Sequence, residues 1–371
     1  MTGVAVIGTG VISESHIEAY LAFQDRCRII ALCDLVPKKP EALKEKYHLK
    51  DTAVYSDCKE MAERSDICLV SICTPPFTHG ESAVICMKAG KHVLVEKPMA
   101  SSLEECDEMM RVQRETGCYL GVISQNRYLR DNRSLKSVIA SGAVGKVLFG
   151  QVESLWFRGR EYYDLWWRGT WEMEGGGCTL NHAVHQIDLP DWTMGTPRPV
   201  TAVLGNTAHD NAEVEDVSAA ILTYENGALV TVTASLVTHG AGQRLSFQCE
   251  KAGVASPWKV VSSRSAPTAF PVENEAFEEQ RQTRYLELPP PRYTGHKGQI
   301  DTVLRFLECG ELPPESSADG RLALEVITAI YQSGFTGQTV ALPLSGDAPL
   351  YTKKGFMANG KHFYEKEAHQ K

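Results

Sequence analysis

The chain reads as an α/β protein: a doubly wound parallel sheet at the amino end, followed by a second α/β domain built on a large, mostly antiparallel open sheet. Three features point there. Short apolar, β-branched runs alternate with helical segments up to about residue 122, two glycines (Gly8 and Gly10) close the first run, and from Lys146 onward the runs lengthen and alternate in and out. The division falls at residue 124, giving domains 1–124 and 125–371.

In the first domain VAVIG precedes a helix over 13–24, RIIALCD one over 38–47, ICLVSIC one over 78–89 and HVLVEK one over 102–116, and YLGVIS ends the series. These runs are apolar throughout, as parallel strands covered on both faces must be. A helix over 131–141 leads into KVLFGQVESLWF, VSAAILTYENGALVTVTASL and RLSFQCE, where ENG at 225–227 predicts a hairpin turn. Helices are expected on one side of this second sheet. Residues 253–290 carry prolines, serines and acids without a period and read as a long loop. DTVLRFLECG and GRLALEVITAIYQSGF predict two amphipathic helices, the second ending near Gly334, and the two domains should meet across a cleft.

A length of 371 residues suits two domains, and 43% apolar with 23% charged content describes a globular chain. Acids outnumber bases 46 to 38, a net charge of −8 that argues against nucleic acid or an anionic membrane as partner. No early run has the length and apolarity of a signal peptide or transmembrane helix, so a cytoplasmic location is expected. Eleven cysteines without CxxC pairs read as reduced thiols filling small core positions.

The first turn, VAVIGTGVISESH, supplies bare backbone at Gly8 and Gly10 and then the amides of Val11 and Ile12 at a helix start, which is a diphosphate site. Asp34 ends the next apolar run a little over twenty residues on. A carboxylate there accepts bonds from ribose hydroxyls and repels a 2′-phosphate, favouring NAD over NADP, a preference softened by Lys38 and Lys39. The third fingerprint position is Ser13 instead of glycine, still small enough for helix to pack on strand. CTPPFTH (73–79) and VEKPM (95–99) end strands at the carboxyl edge of the sheet, where open α/β folds bind ligands. In EGGGCTLNHAVHQIDLPDW (174–192) a glycine triplet precedes a helix on which Asn181, His185 and Asp188 fall at i, i+4 and i+7, on one face.

Together with QNRY (125–128) and the terminal GRLALEVITAIYQSG, these segments give a chain that resembles the Gfo/Idh/MocA family of oxidoreductases over essentially its whole length. The resemblance implies a Rossmann domain, a second domain whose sheet face mediates homo-oligomers, and NAD(P)-dependent redox chemistry on a sugar, inositol or related alcohol. It assigns cofactor contacts to Gly8, Gly10, Val11, Ile12, Asp34, Thr74, Pro75, His79, Glu96, Lys97 and Asn126. It also implies that Lys97 reaches the substrate hydroxyl, that the peptide before Pro98 is cis and that His185 is the general base. The chemistry agrees, because an ammonium stabilises a developing alkoxide and an imidazole titrates near neutrality. Asn181 departs from the pattern, which has aspartate there; an amide orients a hydroxyl but cannot raise an imidazole's pKa by charge, so Asn181 is kept as a substrate ligand. His182 and His185 form an HxxH pair without a suitable third ligand, and no metal is expected.

Tyr128 and the run FRGREYYDLWWRGTW (157–171), with Arg158, Tyr162, Tyr163, Arg168 and Trp171, combine flat apolar faces with donors and suit a pyranose; filling the interdomain core or an oligomer interface is the competing role. His182 and His296 join the substrate candidates. The leading functional reading is NAD-dependent sugar or glycoside dehydrogenation at a ring secondary hydroxyl, C3 of a glucosyl unit above others. The alternatives are a glycosidase that oxidises C3 transiently, an inositol or other polyol dehydrogenase, and a redox-silent NAD-binding sensor.

Overall fold

In the computed structural model, which describes residues 1–366, the chain forms two large sheets and a two-stranded ribbon. The first takes β1 (Thr2–Ile7), α1 (Val11–Leu21), β2 (Cys27–Cys33), α2 (Lys38–Lys46), β3 (Ala53–Tyr55), α3 (Cys58–Ala62), β4 (Leu69–Ile72), α4 (His79–Lys88), β5 (His92–Val95), α5 (Leu103–Thr116) and β6 (Leu120–Val122). The strands are all parallel, in the order β3-β2-β1-β4-β5-β6. Val4 and Val6 are buried on one face of β1 and Ala5 and Ile7 on the other, the reason its apolar run does not alternate. The sequence reading omitted β3 and α3: AVY is only three residues long and partly exposed, too short to carry a period.

The second sheet is built from β7 (Val147–Phe157), β8 (Pro199–Gly205), β9 (Val217–Thr223), β10 (Leu229–Ser235), β11 (Val237–Cys249), β12 (Gly253–Ser256) and β13 (Lys259–Val261), with a small ribbon of β14 (Ser263–Arg264) and β15 (Val272–Glu273) beside it, and is completed by β16 (Val340–Ala341). Its order is β13-β12-β11-β7-β10-β9-β8-β16, antiparallel except for the β7/β10 pair. The hairpin at 225–227 is present, with Gly227 at φ +84°. Helices α6 (Arg130–Ala140), α7 (Cys178–Asn181), α8 (Val184–Met194), α9 (Glu275–Glu287), α10 (Gly295–Cys309), α11 (Ser317–Thr336) and α12 (Lys353–Asn359) complete the fold.

The structure departs from three expectations and adds one packing feature that the sequence did not predict. Residues 253–290 are not a loop: β12 and β13 extend the sheet, and α9 is a charged helix with no buried residue, hence no apolar period to read. Its carboxyl end is held where Arg130 donates to the carbonyls of Tyr285 and Leu288 and Trp258 stacks on Tyr285. The last long helix runs through Gly334 to Thr336 and is capped by Gly337 in the left-handed region; Gly334 is there because a Cβ would meet Leu204 at 2.4 Å. The helix after the glycine triplet is broken, so Asn181 lies on α7 while His185 and Asp188 lie on α8. Finally, α10 returns to the first sheet, where Ile300, Val303 and Leu304 pack with Val4, Ile17 and Leu32, while α1 covers the same face. On the opposite face one apolar core runs through α4, α5 and α11 to the inner side of the second sheet.

Candidate active site

The turn after β1 is shaped by backbone approach. Gly8 has φ +83°, and a Cβ there would lie 2.7 Å from the Cys73 carbonyl carbon, so only glycine lets β1 and β4 end side by side. A Cβ at Gly10, by contrast, would meet nothing within 4 Å, and Val11 is 90% exposed, so the start of α1 faces open space with no side chain capping its amides. Ser13 is fully buried and its hydroxyl donates to the Gly10 carbonyl at 2.6 Å, as the small third position requires. Asp34 accepts from the Thr9 amide at 2.9 Å and hydroxyl at 2.8 Å and from the Val36 amide at 2.9 Å, which aims its carboxylate at the edge of this turn. Thr74 and Pro75 are half-buried on the neighbouring loop. His79 is buried beneath it, its ring nitrogens 2.8 Å from the carbonyls of Pro98 and Thr74, so it ties two loops together and does not face the cleft. An open cradle, free helix amides and an adjacent carboxylate fit a dinucleotide.

At the end of β5 the Lys97–Pro98 peptide is cis. The Lys97 ammonium donates to the Asn181 carbonyl at 3.0 Å. That carbonyl is available because the helix breaks at His182 before α8 starts. The Asn181 side-chain amide turns back, donating to the Gly176 carbonyl at 2.8 Å, which leaves its oxygen for a ligand. Lys97 and His185 border one small cavity of about 10 Å³ with Ser124, Asn126 and Asp188, room for about one water. The Asn126 amide nitrogen is buried there without a partner. Burial lowers the Lys97 pKa, and burial followed by the Lys97 charge holds His185 well below the usual imidazole range. The Gln125 amide, 3.3 Å from Nε2, fixes the His185 ring.

Beneath Lys97, Glu96 is a junction absent from the sequence reading except as a cofactor contact. One carboxylate oxygen receives the Nε2 atoms of His16 at 3.0 Å and His296 at 3.1 Å, and the chain continues through Ser71 to Tyr20. These histidines hold Glu96 ionised, well below its usual range, against the opposing effect of burial. His296 therefore braces Glu96 from α10 and is only slightly exposed, at 14%. The three side chains place ligand atoms within 4.8 Å of one another, and the direct hydrogen bonds account for that convergence.

The aromatic-basic run divides. Tyr162, Arg168, His182 and Arg158 are partly exposed and adjoin one another: the Arg168 guanidinium sits 4.2 Å over the Tyr162 ring and donates to its hydroxyl, and that hydroxyl lies 3.5 Å from His182 Nε2. Burial and then Lys97, Arg158 and Arg168 push His182 down to about 3, so its ring is neutral. Glu174, which the sequence reading missed, pairs with Arg168 at 2.7 Å and is pushed up to about 7 by burial. Its position immediately before the glycine triplet was the available signal. Tyr163 and Trp171 are in the core, at 1% and 2% exposure, taking the filling role. Tyr128 is also a core strut, 1% exposed with its hydroxyl on Thr302 and Glu315, both at 2.7 Å, because QNRY turns it inward under α10. Asp188, at the border of the same cavity, has both carboxylate oxygens on Arg127, through bonds of 2.8 and 2.6 Å.

Comparison with known proteins agrees with this geometry. Residues 2–124 match the oxidoreductase family with an NAD-binding Rossmann fold, and residues 132–255 match the GFO/IDH/MocA C-terminal domain. D-glucoside 3-dehydrogenase of Escherichia coli K12 is 24% identical over 367 residues, covering 91% of this chain and 97% of the relative. Myo-inositol 2-dehydrogenase of Thermotoga maritima is 25% identical over 327 residues, covering 86% and 92%. The crystal structure of WlbA dehydrogenase from Bordetella pertussis, in complex with NADH and UDP-GlcNAcA, superposes with a TM-score of 0.79 at 28% identity, covering 93% of this chain and 98% of that one. The chain belongs to the Gfo/Idh/MocA oxidoreductases, an NAD-binding Rossmann domain followed by the family's C-terminal domain.

Proposed function

We propose that this protein oxidises a ring secondary hydroxyl of a sugar or glycoside to a ketone, at C3 of a glucosyl unit. The observation that carries the reading is the shared border of Lys97 and His185 on one cavity, an ammonium beside a neutral imidazole at the carboxyl edge of β5. Glucoside and inositol relatives named above support the substrate class, and the glucoside enzyme supports C3. Bound NAD supplies the hydride acceptor. Lys97 donates a hydrogen bond to the carbinol oxygen and stabilises its growing negative charge. His185 takes the hydroxyl proton once the substrate hydroxyl replaces the Gln125 amide at Nε2. Asn181 offers its side-chain oxygen to a neighbouring hydroxyl. Glu96, locked by His16 and His296, sets the Lys97 backbone by accepting from its amide at 3.2 Å.

The open face of the second sheet, where Val203 is 73% and Ile221 45% exposed, is the surface for a second copy of the chain. No helix among the described residues is long and apolar enough to cross a membrane, and all eleven cysteines are free thiols, which suits a reducing cytoplasm.

The test is incubation with NAD and a panel of glucosides, hexoses and inositols, following NADH absorbance together with keto products by mass spectrometry. A 3-keto glucoside is expected. Lys97→Ala should lower kcat by about a hundredfold or more while NADH still binds by fluorescence titration. Oxidised product from Lys97→Ala at the unaltered rate, or no oxidised product from any of the panel, rejects the reading. Aglycone release without net NADH would assign the transient-oxidation route instead.

A further inference from the structure

We propose that the substrate carries a carboxylate, as in a uronic acid or its glycoside, and that Arg158 receives it; the proposal rests on the sugar-oxidising reading above. Charge in the cleft wall accounts for it. Three cations gather there: Arg158 and Arg168 both lie over the Tyr162 ring, which packs on His182, and Lys97 is held by the Asn181 carbonyl just before that histidine. Two are engaged: Arg168 is paired with Glu174 at 2.7 Å, and the Lys97 ammonium is tied to the Asn181 carbonyl at 3.0 Å. Among the described residues no carboxylate lies within ion-pair distance of Arg158, and its side chain makes a single hydrogen bond, from Nη1 to the Phe157 carbonyl at 2.8 Å.

The group is nevertheless built in. The Arg158 amide donates to the Leu236 carbonyl at 2.8 Å, and its carbonyl faces His209 Nε2 at 3.0 Å, so the backbone is fixed on both sides. The guanidinium lies over two rings, 5.3 Å from the Trp156 centroid and 5.6 Å from that of Tyr162. Tyr162 and Trp156 both adjoin His182, the residue immediately after the carbonyl that holds Lys97. Two rings lie beside the cation, and Nη1 alone of its nitrogens is engaged, which leaves donors for a ligand. A planar fork with free donors matches a carboxylate in two parallel bonds, whereas a neutral hydroxyl uses one and leaves the charge uncompensated. Aromatic surface against a sugar ring and a cation at its rim therefore describe an acidic sugar better than a neutral one.

The experiment compares the 4-nitrophenyl glucoside and glucuronide of the same anomer, with glucose 6-phosphate as a second anion, in the unaltered enzyme, Arg158→Gln and Arg158→Lys. The glucuronide is expected to have the higher kcat/KM. Arg158→Gln should reduce its ratio to the glucoside by about tenfold to a hundredfold, and Arg158→Lys should recover part of it, because a point cation keeps the charge but loses the fork. Reading the ratio within one preparation separates the effect from misfolding. Titration of glucuronate and glucose into the NADH-bound protein by calorimetry runs in parallel. Acid binding that depends on Arg158 without turnover would uphold the subsite and reject the oxidation reading. An unchanged ratio in Arg158→Gln, or equal handling of acid and neutral sugar in both assays, overturns the proposal. Preference for the phosphate over the glucuronide overturns the carboxylate assignment.

Discussion

Lys97 and His185 oppose each other's protonation, and burial penalises the charge on both. Two cations cannot share so small a cavity cheaply, so the doubly protonated pair is disfavoured. The sign of each shift sets the pH dependence. His185 gains its proton only well below the usual value of about 6.5, and Lys97 loses its own below the usual value of about 10.4. The profile of kcat/KM should therefore fall on the acid side only below the usual imidazole range, as the base is protonated, and fall on the alkaline side before free lysine would titrate. Steady-state rates across pH, with stability checked at each point, measure this. An acid limb centred at or above about 6.5 would show that His185 is not the base. Both residues were legible from their motifs, but the downward shifts were not, because they come from burial between two domains.

The segment from the glycine triplet to α8 shows why a helical wheel was an incomplete guide. Its spacing put Asn181, His185 and Asp188 on one face, yet the helix divides, and each residue acquires a different partner: Gly176, Gln125 and Arg127. The entry to α7 has a packing cause. A Cβ at Gly177 would lie 1.9 Å from the Glu215 carbonyl oxygen, and the Gly177 amide donates to the Glu215 carboxylate at 3.1 Å and to the Tyr331 hydroxyl at 3.2 Å. The chain thus enters α7 pressed against β9 and α11. Gly177→Ala is expected to cost about 3 kcal/mol, read as a lower midpoint in denaturant, and to reduce turnover by displacing the Asn181 carbonyl. A loss under about 0.5 kcal/mol would mean that the loop relaxes without consequence. The triplet itself was visible in the sequence. Its partners lie about forty and more than a hundred and fifty residues away, beyond any local pattern.

Across the molecule, the first sheet is completed by a helix from the far end of the chain, so folding of the cofactor domain depends on residues 295–309. This return also delivers His296 to Glu96 and makes the site a joint product of both parts. The second sheet is packed on its inner side and open on the other, where Val203 and Ile221 sit on adjacent antiparallel strands. Val203→Lys combined with Ile221→Lys should lower the mass observed by light scattering while the monomer fold, followed by circular dichroism, persists. An unchanged mass would place any contact between copies elsewhere.

Composition and local pattern were enough for the alternating strands and helices of the amino half and the Gly8/Gly10 turn with Asp34, and the family motifs singled out Lys97 and His185 as candidates. Those features depend on neighbours in sequence: a period, a glycine where the backbone must pass closely, a proline after a strand. The Glu96 junction, the burial of Tyr128 and Tyr163, the exposed helix α9 and the unpaired Arg158 depend on distant contacts. Burial and charge balance are sums over everything that surrounds a group, and that surrounding exists only once the chain has closed on itself.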